Sequence, residues 1–296
     1  MLILDEERVR SLLRMEDLIP AMAGAMRDLS AGKVLQPLRQ ILPVKEHAGF
    51  FGVMPAYGGA LGAKLVTFYP NNQGLPTHHA MIVLFHPETG EPLVTMDGRL
   101  ITEMRTAAVS AVATDLLARP DARVLAILGS GVQAQSHLEA LRIVRQFREV
   151  RVWSPRHAGE FAKKFGVAAA ASAEDAVCGA DVVVVATAAT APVLQGRWLA
   201  AGAHINAVGA TRPNWRELDD DALRKARIYV ESREAASKES GDVIAAAKPL
   251  IELGEVIAGS KSGRESAEEI TLYKSVGVAV EDVVAADLVY RRAISP

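Results

Sequence analysis

Three cations stand alone among apolar neighbours in the first third of the chain. Arg39 closes Gln36-Pro-Leu-Arg39, Lys64 opens Lys64-Leu-Val-Thr-Phe-Tyr69, and Arg105 lies in Thr102-Glu-Met-Arg105-Thr106. Taken singly, such residues read first as surface side chains whose stems cover apolar groups while the charge stays in water. Three in one region open a second reading. A guanidinium offers a fork of donors that fits a carboxylate, and an ammonium adds a compact charge or a transferable proton. Together they would clamp a small carboxylic acid. Other reactive residue types offer less. His78 and His79 have no His, Cys or acidic cluster near them at ligand spacing, so strand packing is their reading and no metal is expected. Cys178 is the only cysteine, which rules out an internal disulfide and leaves a small apolar filler or a surface thiol. Asp219-Asp220-Asp221 reads as the acidic first turn of an exposed helix.

A second constellation lies further on. Leu128-Gly129-Ser130-Gly131-Val132-Gln133-Ala134 is a G-x-G-x-x-A turn that follows the apolar run Val124 to Leu128 and opens a helical segment, the context in which such a turn binds a dinucleotide. Gly129 permits the tight turn, Gly131 lets backbone approach a pyrophosphate, and Ala134 sits where strand and helix pack closely. The amides around Val132 and Gln133, at the helix start, offer N–H groups and a positive dipole. An NAD site places an acid at the end of the next strand, about twenty residues on. Here that place holds Ser154-Pro-Arg156-His157. A hydroxyl and a guanidinium suit a 2′-phosphate, so NADPH is the expected cofactor, with NADH as the alternative.

These groups need elements to position them. Val9, Leu12, Leu13, Leu18, Ile19, Met22 and Met26 recur at three- and four-residue steps, the stripe of an amphipathic helix. Short strand-like runs follow at Phe50 to Met54 and Lys64 to Tyr69, then a hairpin of Met81 to Phe85 and Pro92 to Met96. Leu100 to Ala118 turns helical and rich in small residues, and Pro120 closes it. From Arg123 the rhythm alternates. Strands are expected at Val124 to Leu128, Val150 to Trp153, Asp181 to Ala186, His204 to Val208 and Ile228 to Glu231, with helices between them. Such alternation predicts an α/β fold, a Rossmann doubly wound parallel sheet, beside a second α+β lobe for substrate and dimer contacts. The expected division is 1–119 for that lobe, with a C-terminal helix from about 272–296 returning to it, and 120–271 for the dinucleotide domain.

Composition excludes several classes. With 33 basic and 35 acidic residues the net charge is −2, and no Lys/Arg-dense run appears, so nucleic acid is not an expected partner. The most apolar stretch, Ala180 to Leu194, is broken by Thr187, Thr190 and Pro192 and is too short to span a bilayer. Acids at Asp5, Glu6 and Glu7 do not fit a secretory signal, so the cytoplasm is the expected compartment.

Several further stretches carry a resemblance. They are Phe51-Gly-Val-Met-Pro-Ala-Tyr57, Lys64 to Tyr69, Met96-Asp-Gly98, Arg105-Thr-Ala-Ala-Val-Ser110, Ile127 to Ala134, His204-Ile-Asn-Ala-Val-Gly-Ala210, Pro213-Asn-Trp-Arg-Glu-Leu-Asp219, Ser232-Arg-Glu-Ala235 and Lys238-Glu-Ser-Gly-Asp242. In this order they resemble the ornithine cyclodeaminase/mu-crystallin family, most closely its ketimine reductase branch. The resemblance implies a homodimer and a substrate carboxylate held by Arg39, Lys64 and Arg105. It also implies reduction of the C=N bond of small imino acids, such as piperideine-2-carboxylate or pyrroline-2-carboxylate, to L-amino acids. Asn206, Val208 and Gly209, at the carboxyl end of a strand, fall on its nicotinamide side, Thr187 is a further expected cofactor-binding residue, and Ser275 and Gly277 match a stretch lining the cofactor site. One departure bears on the reaction. Cyclodeaminases of the family carry an Asp where this chain has Thr211, in Ala210-Thr-Arg-Pro213. Thr211 offers a polar contact but no negative charge, which disfavours ornithine cyclodeamination. An alanine dehydrogenase or reductive aminase of open-chain keto acids, and a non-catalytic small-molecule binding protein, stand as the other readings.

Overall fold

The computed structural model describes residues 1–295. They form two compact units: Met1–Arg105 together with the chain from Gly277 onward, and Thr106–Val276. The changes of unit fall at Arg105/Thr106 and Val276/Gly277, where the sequence suggested Arg119 and Thr271. Both differences have a physical source. A single helix carries the chain from one unit into the other, so Pro120 marks where that helix ends and not where its partners change. Residues 270–274 form a buried strand of the second unit.

In unit 1, β1 (Leu2–Leu4), α1 (Glu6–Leu12) and α2 (Met15–Ser30) precede the strands. The apolar stripe expected to be one helix breaks at Leu13, whose backbone is extended, yet Val9, Leu13, Leu18, Met22 and Met26 are all buried. The strands β2 (Gln40–Val44), β3 (Gly49–Tyr57), β4 (Leu61–Phe68), β5 (His78–Phe85) and β6 (Pro92–Asp97) form a sheet in the order β1-β6-β5-β4-β3-β2. It is antiparallel except for the β1/β6 pair. The helix α3 (Arg99–Leu117) starts after Asp97, whose carboxylate accepts the Arg99 amide at 2.9 Å. The last helix of the chain, α11 (Ala279–Ile294), packs on α2 and on β3, β4 and β5. Side chains alternate across a strand. Met54, Lys64, Ile82 and Met96 therefore share one buried face in register, and Val53, Leu65 and Met81 share the other.

Unit 2 is the alternating half. Its strands are β7 (Val124–Leu128), β8 (Glu149–Trp153), β9 (Ala168–Ala169), β10 (Val182–Val185), β11 (His204–Ala207), β12 (Ala226–Val230), β13 (Leu250–Glu252) and β14 (Ile270–Lys274). The order β13-β12-β14-β11-β10-β7-β8-β9 is parallel throughout. Between the strands run α4 (Val132–Val144), α5 (Ala158–Phe165), α6 (Ala173–Val177), α7 (Asp220–Lys225), α8 (Arg233–Glu239), α9 (Gly241–Ala246) and α10 (Leu253–Ile257). Continuous apolar strands such as Val182-Val-Val-Val185, fully buried, are what a sheet covered on both faces requires. The sheet is the expected doubly wound one, with three strands the sequence did not reveal, β9, β13 and β14, of which β14 is the longest. Ile270-Thr-Leu-Tyr-Lys274 lies between β11 and β12 and is buried along its whole length. Its Thr, Tyr and Lys hide it from a reading based on apolar runs. Among the described residues no helix is long and apolar enough to cross a membrane.

Candidate active site

The three cations meet in unit 1, around the first turn of α11. Lys64 projects from β4 on the face that α11 covers and is 2% exposed. Its Nζ lies 2.6 Å from Asp282 Oδ2 and 3.5 Å from Thr102 Oγ1. Arg105, on α3, donates from Nε to Asp282 Oδ1 at 3.1 Å and pairs through its terminal nitrogen with Glu281. Arg39, in the loop before β2, donates to the Gly277 carbonyl at 2.7 Å. Gln36, three residues earlier, accepts the Val280 amide at 2.9 Å and so ties the same loop to the helix start. Gly277 has φ +74, and a side chain there would meet the Arg105 guanidinium, so only glycine leaves the cluster this shape. Gly277, expected to line the cofactor site, lies against the cation cluster.

The electrostatics follow from burial. Lys64 and Arg105 share the Asp282 carboxylate, and Arg105 also pairs with Glu281, within a water-poor setting. Burial pushes Lys64 down to about 8, with Asp282 pulling upward and the neighbouring Arg105 and Arg39 pushing down. Such a lysine is still protonated at neutral pH but releases its proton more readily than an ordinary one. Glu281 and Asp282 sit at the amino end of α11, where the helix dipole favours negative charge.

In unit 2 the glycine turn has the shape a dinucleotide needs. Gly129 has φ +118, and a Cβ there would collide with the Ala186 carbonyl. Gly131 is the N-cap of α4, and a Cβ on it would meet nothing within 4 Å, so the amides of the first turn open onto free space. Val132 is half exposed beside it, Gln133 is partly buried, and Ala134 is fully buried against the sheet. Ser130 and Ser154 hydroxyls lie 2.9 Å apart, which joins the turn to the end of β8. Arg156 follows on an exposed turn. These residues fit a dinucleotide: a bare helix terminus for the pyrophosphate, with a hydroxyl and a cation for the ribose end.

The remaining expected residues sort into two groups. Thr187, Val208 and Gly209 come together at the carboxyl ends of β10 and β11, and Val208 donates to the Val185 carbonyl at 2.9 Å. Asn206 is fully buried, and its amide donates to Thr114 Oγ1 of α3 at 2.8 Å. Through this bond its side chain ties α3 to the sheet. Ser275 donates to Glu231 at 2.6 Å, so its hydroxyl is also committed inside the protein. Thr211 is partly buried in the loop after β11. The next residue, Arg212, lies over the Trp215 ring at 4.5 Å.

Glu281 and Asp282 were not found from the sequence. An acid pair at a helix start reads as an ordinary dipole-compensating turn, and its partner Arg105 is 177 residues from Asp282 along the chain. Glu217, buried and bonded to Thr187 and Gly209, was missed for the same reason. His78 and His79 are exposed, with the His78 ring 4.5 Å from that of Phe68. Among the described residues no group of three or more His, Cys, Asp or Glu is placed to hold a metal ion.

Comparison with known proteins gives consistent results. A model of the ornithine cyclodeaminase/mu-crystallin family matches residues 1–296. Ketimine reductase mu-crystallin of Mus musculus is 50% identical, the match covering 97% of this chain and 96% of that protein. The structure of Thermococcus litoralis Delta(1)-pyrroline-2-carboxylate reductase in complex with NADH and L-proline aligns with a TM-score of 0.94. It is 40% identical, and the alignment covers 99% of this chain and 98% of that one. An archaeal alanine dehydrogenase dimer with bound NAD also aligns at 0.94, with 38% identity and coverage of 99% and 96%.

Proposed function

The chain belongs to the ornithine cyclodeaminase/mu-crystallin family, and on that premise we propose that it reduces the C=N bond of small imino acids, cyclic ketimines among them, to L-amino acids. A nicotinamide dinucleotide is the hydride donor. The observation that carries the reading is the cluster of buried Lys64 and Arg105 against Glu281 and Asp282, with part-buried Arg39 beside them on the Gly277 carbonyl. Guanidinium and ammonium groups gathered in one place suit a carboxylate, which then enters beside opposite charge rather than buried alone.

The chain's own groups then have distinct tasks. Arg39 and Arg105 receive the carboxylate and fix the position of the neighbouring imine carbon. Lys64 delivers a proton to the imine nitrogen and is reprotonated from solvent. Asp282, 2.6 Å away, holds the ammonium in place for that transfer. When bound, the reduced nicotinamide supplies the hydride to the imine carbon. The turn from Gly129 to Ala134, with Ser154, Thr187, Val208 and Gly209, holds that cofactor. Arg156 favours NADPH over NADH, because no acid stands at the end of β8 to prefer a free 2′-hydroxyl. Thr211 supplies at most a polar contact, and this disfavours deamination of ornithine.

A homodimer is part of the same proposal. On the sheet of unit 1, Leu42, Val53, Leu65 and Met81 lie on the face away from α11, with Met81 49% exposed. An apolar sheet face of this kind fits a second copy of the chain. Sedimentation at the mass of one chain would refute it.

The activity is tested by following nicotinamide oxidation with piperideine-2-carboxylate, beside pyruvate plus ammonium or methylamine. Rapid oxidation with the cyclic imine and no added amine is the expected result. A second reading, reductive amination of an open-chain keto acid, is favoured by the similarity to the archaeal alanine dehydrogenase. Turnover only with keto acid plus amine would establish that reading and overturn the first.

A further inference from the structure

The stretches Pro213 to Asp219 and Lys238 to Asp242 have no task in the reaction as described, yet they meet in the interior of unit 2. Glu217 is fully buried, and its carboxylate accepts four hydrogen bonds. Oε1 takes the Thr187 amide at 2.9 Å and the Thr187 hydroxyl at 2.7 Å. Oε2 takes the Gly209 amide at 2.7 Å and the Ala210 amide at 3.0 Å. Asp242, also fully buried, accepts the amides of Glu217 and Leu218, both at 3.1 Å. Lys274, at the end of β14, places its ammonium 3.5 Å from Asp242 and 4.0 Å from Glu217. The segments after β10 and β11 thus approach each other with Glu217 between them. At Gly209 a Cβ would strike both the Thr187 carbonyl and the Glu217 carboxylate.

We infer that Glu217 is a positioning residue for hydride transfer: it sets the spacing of the Thr187 and Gly209 loops at the carboxyl edge of the parallel sheet, and through them the seat of the nicotinamide. The inference rests on the nicotinamide part of the proposed function, since ligands in such sheets bind at the carboxyl ends of the strands. The chemistry at Glu217 is demanding. Only an ionised carboxylate presents acceptors on both oxygens to four donors. Burial raises the Glu217 carboxyl above the usual range, while Lys274 and the Thr187 donors draw it back. Asp242 fixes the backbone of Glu217 itself, so the side chain starts from a rigid base.

Glu217→Gln is the discriminating variant, because its amide nitrogen would be turned against N–H donors on one side. ADP-ribose lacks the nicotinamide and would rest on the glycine turn and the Ser154 to Arg156 end of β8, so it probes that half of the cofactor alone. The expected result is a dissociation constant for ADP-ribose within about twofold of the parent and one for NADH or NADPH raised about tenfold or more. The isotope effect with nicotinamide deuterated at the transferred position should also increase, as hydride transfer becomes the slow step. An unchanged NADH dissociation constant and isotope effect, or equal losses for ADP-ribose and NADH, would overturn the inference. Hydrogen exchange on the cofactor-free parent protein gives a second test that needs no variant. The amides of Thr187, Gly209 and Ala210 should be protected like those of the sheet, and exchange at exposed-loop rates would refute the role of Glu217. If the parent binds neither NADH nor NADPH, it is the proposed function that fails.

Discussion

Each unit gathers charged side chains, and the two clusters are held in different ways. In unit 1 side chains meet side chains: Lys64 and Arg105 both pair with Asp282, and Arg105 also pairs with Glu281. In unit 2, Glu217 and Asp242 lie beside Lys274, and backbone amides do much of the holding, five of them from Thr187, Gly209, Ala210, Glu217 and Leu218. Carboxylates bound by backbone donors fix the spacing of loops, whereas the proposed function has the cations of unit 1 meet a ligand of the opposite sign.

The largest effect should come from breaking the unit 1 cluster at its centre. Lys64→Ala is expected to lower turnover by about a thousandfold, the scale of losing a positioned proton donor together with its charge. Melting temperature should fall far less than the rate does, because Asp282 keeps Arg105 as a partner once the ammonium is gone. Comparable losses of rate and stability, read by steady-state kinetics and thermal melting, would make Lys64 structural and erase the contrast between the clusters.

Asp282→Asn sharpens the comparison. Lys64 must be protonated to act, so kcat/KM should be level below its pKa of about 8 and fall as the pH rises past it. Asp282 raises that pKa, whereas Arg105 and Arg39 lower it. Without the Asp282 charge the falling limb should move to lower pH, and stability should drop by about 3 kcal/mol as Lys64 and Arg105 lose a buried partner. A pH profile that stays where it was would remove Lys64 from the proton transfer.

A smaller effect is expected at the surface. Arg156→Ala should lower kcat/KM for NADPH by about tenfold, the scale of one charge-assisted hydrogen bond, and leave NADH nearly untouched. Equal changes with both cofactors would assign Arg156 to the solvated loop and turn the preference towards NADH.

Much of this was legible in local patterns. The turn from Gly129 to Ala134 follows a buried apolar strand and opens a helix, a pattern confined to consecutive residues and so readable in the sequence. The parallel sheet was legible from its alternating rhythm, except for β9, β13 and β14: the first two are two and three residues long, and the Thr, Tyr and Lys of β14 concealed a strand buried along its length. The three cations could be picked out as charged residues beside apolar runs, but nothing in the sequence distinguished a clamp from snorkelling side chains. That Lys64 and Arg105 are buried and ion-paired rather than snorkelling came from α11, which returns to unit 1 and sets Glu281 and Asp282 against them.

The amino-acid sequence by itself determined the class of fold, the dinucleotide turn and the identity of the cations, because strand rhythm, turn chemistry and charge are local properties. Only the tertiary structure decided which acids face those cations. It also decided that Asn206 and Ser275 turn inward and that Glu217 joins two loops. Charge balance in a buried site is a sum over groups far apart in sequence, and it exists only once the chain has brought them within a few ångströms.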